Sequence, residues 1–86
     1  MEKHSKVVIH AIVRILRPLV RILLRYGVSA GAFEEIVRRV YVEVAEKEFQ
    51  VEGRKQTASR ISVITGLNRK EVARIQRLPP VEQTEV

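Results

Sequence analysis

The sequence contains no cysteine, no aspartate and no tryptophan. Without thiols there are no disulfides, thiolate metal sites or cysteine nucleophiles. A reducing compartment is thereby favoured, and the expected location is cytoplasmic. Without aspartate, every side-chain carboxylate is a glutamate. The two histidines, His4 and His10, both lie near the N-terminus. No glycine-rich phosphate loop, metal-ligand spacing or nucleophile motif is present. No catalytic residue, cofactor or metal ligand is therefore assigned, and the chain is not expected to be an enzyme. With two Phe and two Tyr, a core has to be built mainly from Val, Ile, Leu and Ala.

Strand-like alternation is also missing, and a β-wing after the last helix would need about 15 more residues. The apolar run from Val7 to Val28 is long enough to span a bilayer. It holds Arg14, Arg17, Arg21 and Arg25, each costing roughly 2.5–3.5 kcal/mol at bilayer depth, so no membrane span is expected. Lys3 and Lys6 precede the run, but the arginines interrupt it early and no small-residue cleavage site follows, so no secretory signal is expected.

What is present is a short basic chain of 86 residues with a formal charge of +6. Its composition fits a folded protein of one domain, placed at 1–78, with a flexible tail at 79–86 after Pro79 and Pro80. Polyanions are the natural partners of such a surface.

Three helical regions precede that tail. In the first, Lys6, His10, Arg14, Arg17, Arg21 and Arg25 fall within about 100° of a helix circumference. Val, Ile and Leu fill the remainder, Pro18 is expected to kink or divide the helix, and Gly27 ends it. The first choice for residues 6–25 is a core helix with a solvated basic edge. A DNA-backbone contact comes second, and contact with a membrane surface is least favoured. The second helix starts at Ser29, an N-cap. Phe33, Ile36, Val37, Val40, Tyr41, Val44, Ala45 and Phe49 keep helical spacing along it. Glu34 with Arg38, Glu35 with Arg39 and Glu43 with Lys47 are i,i+4 pairs. A polar loop is expected at 50–56.

The third region, "ASRISVITGLNRKEVARIQR" (58–77), has the most local punctuation. Thr57 caps a helix over 58–65 whose inner face is Ala58, Ile61, Ser62 and Thr65. Gly66 takes a left-handed conformation, and Leu67 plugs the corner. Asn68 and Glu71 form a capping box. Val72, Ile75 and Leu78 share the inner side of the next helix, and Arg69, Lys70, Ala73, Arg74 and Arg77 share the other. Between Arg54 and Arg77 stand seven basic residues and one acid, Glu71.

Ser62, Leu67, Val72 and Ile75 stand four before and one, six and nine after Gly66. This pattern resembles the helix-turn-helix family of DNA-binding domains. The resemblance implies an all-α bundle of four or five helices with a C-terminal helix-turn-helix and no wing within the chain. It also implies a transcription-related role and a recognition helix at 69–78. Asn68, Arg69 and Lys70 would approach base edges, and Arg74 and Arg77 would contact bases or phosphates. Thr57, Ser59 and Arg60 would meet the backbone. Double-stranded DNA is the implied partner, and a homodimer on two half-sites is compatible with it. The alternative is a helical protein-interaction module of the same fold that binds no nucleic acid.

An earlier echo, "RILLRYGVSAGAFEEIV", places Gly27, Val28, Phe33 and Ile36 at the same offsets, with Leu23 where Ser62 stands. Glu34 and Glu35 near that helix start would repel phosphate, so this copy is taken as scaffold. A tandem duplication is the other explanation. The runs "ILRPLVRILLRYGVS" and "SRISVITGLNRKEVARI" together resemble a bacterial domain-of-unknown-function family whose members look like helix-turn-helix proteins. Those members are longer, so residues 1–86 would correspond to an N-terminal piece.

Overall fold

The computed structural model describes residues 3–50, 53 and 56–83. Among these are four α-helices: α1 Lys3–Arg25, α2 Ala30–Glu48, α3 Ala58–Thr65 and α4 Arg69–Gln76. A short 3₁₀ turn follows at Val81–Gln83. The described residues contain no strand, as the periodicity predicts. No described helix is long and apolar enough to cross a membrane. By its contacts the chain divides into two compact units, Met1–Phe33 and Glu34–Val86. Of the loop expected at 50–56, positions 51, 52, 54 and 55 lie outside the described residues, as do 84–86 of the tail.

The first unit is dominated by α1. Pro18 does not divide it: the helix runs unbroken from Lys3 to Arg25. A proline removes one hydrogen bond and crowds one carbonyl, and the remaining turns hold. Gly27 (φ 75°) ends the helix. Val28 N–H donates to Leu23 O at 2.8 Å and Gly27 N–H to Leu24 O at 3.2 Å, which is the Schellman pattern. Ser29 Oγ then accepts from the Ala32 N–H at 3.1 Å and caps α2. The apolar side chains Val7, Val8, Ile9, Ile12, Ile15, Val20, Ile22 and Leu24 are all exposed.

The second unit packs α2, α3 and α4 around a small core of Val42, Ala45, Ile61, Val72 and Ile75, with Ala58 and Leu67 against it. Of the apolar residues spaced along α2, Ala45 is buried and Phe33, Val37 and Val44 are half-buried, whereas Ile36, Val40, Tyr41 and Phe49 are exposed. The α2 residues that join the core with α3 and α4 are Val42 and Ala45, on the face that also carries Glu35 and Arg39.

Arg39 lies on that same face, 8% exposed, and its Nη2 donates to Pro79 O. It therefore does not pair with Glu35, as i,i+4 spacing suggested. The other two expected pairs form, Glu34–Arg38 at 3.8 Å and Glu43–Lys47 at 3.4 Å. The Arg39–Pro79 bond also holds the start of the expected tail against α2, where Val81 follows in the 3₁₀ turn.

Candidate nucleic-acid interface

Residues 57–77 form two eight-residue helices joined by a tight turn. Thr57 Oγ1 accepts from the Arg60 N–H at 3.2 Å and starts α3. Gly66 (φ 82°) stops it, donating its N–H to Ser62 O at 2.9 Å. Ser62 contributes more than compactness here: its hydroxyl donates to Leu67 O across the turn. Thr65 Oγ1 donates to Ile61 O at 2.8 Å and accepts from the Leu67 N–H at 3.2 Å. At the corresponding place before Gly27, Leu23 has no hydroxyl to do this, so the two glycine turns share a backbone angle but not a closure.

Asn68 Oδ1 accepts from the Glu71 N–H at 2.8 Å, which begins α4. Only this half of the expected capping box forms. The Glu71 carboxylate turns instead to Arg74, at 2.8 Å from Nη2, and to Arg38, at 3.9 Å from Nη1. A carboxylate close to two guanidinium groups gains more from them than from one backbone amide. The hydrogen bond from Arg74, reinforced by the charges of Arg74 and Arg38 and opposed by desolvation, holds Glu71 below its ordinary value of 4.5.

Val72 and Ile75 are buried. By helical geometry Lys70 and Arg77 lie about 180° from them, with Ala73 between. Both cations are exposed, and neither forms an ion pair among the described residues. Arg69 is exposed as well, and its Nη1 donates to Ser59 Oγ at 3.3 Å, linking the start of α4 to α3. Thr57, Ser59 and Asn68 are exposed.

Arg60 and Arg74 are placed differently from the rest. Arg60 is half-buried, and its Nε is shielded from solvent with no hydrogen-bond partner. Arg74 Nη2 bonds Glu35 at 2.8 and 3.1 Å as well as Glu71. Those two carboxylates raise its pKa above the usual arginine value. Its guanidinium therefore braces α4 against α2. Sequence reasoning missed Glu35 as the partner, because a contact across 39 positions has no local signal. The one available clue is that Glu35 shares the Val42 face of α2.

No curated protein and no solved structure matches the chain. A family model does, over residues 6–86. That span includes both glycine turns and all of the interface residues above. The chain therefore belongs to the Family of unknown function (DUF6502).

Proposed function

We propose that this chain is a helix-turn-helix module that binds duplex DNA in a transcription-related, cytoplasmic role, with α4 as the reader. One observation carries the reading. Lys70 and Arg77 stand opposite the buried Val72 and Ile75, and the only acid on α4 is already occupied by Arg74 and Arg38. The outward face thus offers cations to phosphate with its carboxylate compensated. Arg69 and the free amide of Asn68 stand at the leading end of α4, where base edges are approached. Thr57 and Ser59 stand at the start of α3, suited to backbone contacts. Arg74 is assigned a positioning role.

The test is titration of the chain with mixed-sequence duplex at several salt concentrations. Each of Arg69→Ala, Lys70→Ala and Arg77→Ala should weaken binding and reduce the log–log salt slope by about 0.9. Negligible affinity at physiological salt would overturn the reading in favour of a protein-interaction module. One observation favours that second reading: Glu34–Val86 carries ten Lys and Arg against nine Glu.

A further inference from the structure

Two apolar surfaces are largely uncovered among the described residues, although Val13, Leu16, Leu19 and Leu23 within the first are half-buried. The first is on α1, where the cationic stripe takes about 100° of the circumference and apolar side chains span about 240°. Val7, Val8, Ile9, Ile12, Ile15, Val20, Ile22, Leu24 and the adjoining Tyr26 are exposed. Together they present on the order of 900 Å², above the roughly 300–600 Å² of the largest patch on a typical monomer. The second lies in the other unit. Val40, Tyr41, Val44, Phe49 and Ile64 line an open apolar groove of about 410 Å³ between α2 and α3.

We propose that a second copy of this chain covers both: α1 of each copy lies against the α2–α3 groove of its partner, in a reciprocal dimer. About half of the α1 apolar surface, taken with the exposed groove residues Val40, Tyr41, Phe49 and Ile64, approaches the roughly 800 Å² that a standard interface takes from each partner. An amphipathic helix laid in an apolar groove is a common mode of association. A two-fold pairing makes each surface the cover of the other, so neither is left over. The charge distribution agrees. The centre of the cationic stripe is about 180° from the centre of the apolar arc, so α1 can bury its apolar side while Arg14, Arg17 and Arg21 stay in solvent.

An anionic bilayer fits less well. A bilayer would leave the groove open, and the groove carries no cation on its lining. The inference does not depend on DNA binding.

Sedimentation equilibrium of the full chain from low to high micromolar concentration tests it, beside Ile15→Glu on α1 and Tyr41→Glu in the groove. Both positions are exposed, at 67% and 57%, so neither change should unfold the second unit, which circular dichroism checks. The wild type should sediment at about twice its 9.9 kDa. Each variant should dissociate about a hundredfold more readily, since a carboxylate is poorly tolerated in an apolar contact. A wild type that stays monomeric overturns the proposal. So does a dimer indifferent to either variant, or a monomer that floats with anionic phosphatidylglycerol vesicles. Ile15 and Tyr41 lie outside the reader face, so these outcomes leave the DNA titration separately decidable.

Discussion

Replacing Gly66 by alanine isolates the turn between α3 and α4. A Cβ at this position would meet no atom within 4 Å, so crowding contributes nothing and the effect is confined to the backbone. Holding an L-residue at φ 82° costs about 1–2 kcal/mol. The narrower unfolded ensemble of alanine offsets part of that, leaving a net loss near 1 kcal/mol, or roughly 4–8 °C in Tm for a domain this small. Asparagine enters the left-handed region more readily than alanine, so Gly66→Asn should lose about half as much. Gly31→Ala is the control of opposite sign. Position 31 lies within α2, with only Ser29 Oγ at 4.0 Å. At this first-turn position alanine should stabilise by less than the roughly 0.5–1 kcal/mol gained in mid-helix. Thermal melts followed at 222 nm, with urea titrations at 25 °C, give all three values. A neutral Gly66→Ala, or a Gly66→Asn less stable than the alanine variant, refutes a left-handed turn at this glycine.

Two further outcomes follow from the core and from the ion pairs around α4. Ile61 is fully buried. Ile61→Ala should cost about 2–5 kcal/mol, a large share of the roughly 3–8 kcal/mol available to a unit of this length; Ile61→Val should cost about 1 kcal/mol. A loss below 1 kcal/mol for alanine in a urea titration would remove Ile61 from the centre of the core. Glu71 titrates below 4.5 in the folded chain. Its contribution to stability is therefore fully present above its unfolded value and is lost as pH falls through the folded one. Carbon-detected NMR should place its midpoint below 4.5, and Arg74→Met should move that midpoint upward. An unmoved midpoint in that variant contradicts the Arg74 contact.

Residues 57–77 were legible because their determinants are local. A cap, a left-handed glycine and a second cap each act within four positions, and the structure has all three at Thr57, Gly66 and Asn68. The inner residues Ile61, Val72 and Ile75 follow from the same register. The buried face of α2 was not legible. Periodicity ranks faces by apolar content, which selects Ile36, Val40 and Tyr41. Burial follows instead from where α3 and α4 dock, which is over Val42 and Ala45. Burial of Arg39 and the Glu35–Arg74 contact depend on that choice of face, so both were hidden with it. At the interface, exposure of Lys70 and Arg77 could be anticipated from helical phase. The withdrawal of Arg74 could not, because it depends on a carboxylate supplied by another helix.

The distribution of charge bears directly on how the DNA reading should be judged. The first unit holds six Lys and Arg and one Glu, whereas the second holds ten and nine. Nearly all of the net +6 is therefore carried outside the unit that contains the turn. Near-neutrality of the second unit does not by itself exclude phosphate binding. Counterion release depends on the cations that meet phosphate, and Arg38, Lys47 and Arg74 are already spent on Glu34, Glu43, Glu35 and Glu71. If Arg69, Lys70 and Arg77 are the contacts on α4, they account for a salt slope of about −2.7. A steeper measured slope requires cations beyond this helix. The stripe of α1 is the largest group available, with no acid among Lys3–Arg25. Combining Arg14→Gln, Arg17→Gln and Arg21→Gln should then move the slope toward about −2.7 without altering sequence preference. If the slope stays near that value in both chains, α1 takes no part in phosphate contact.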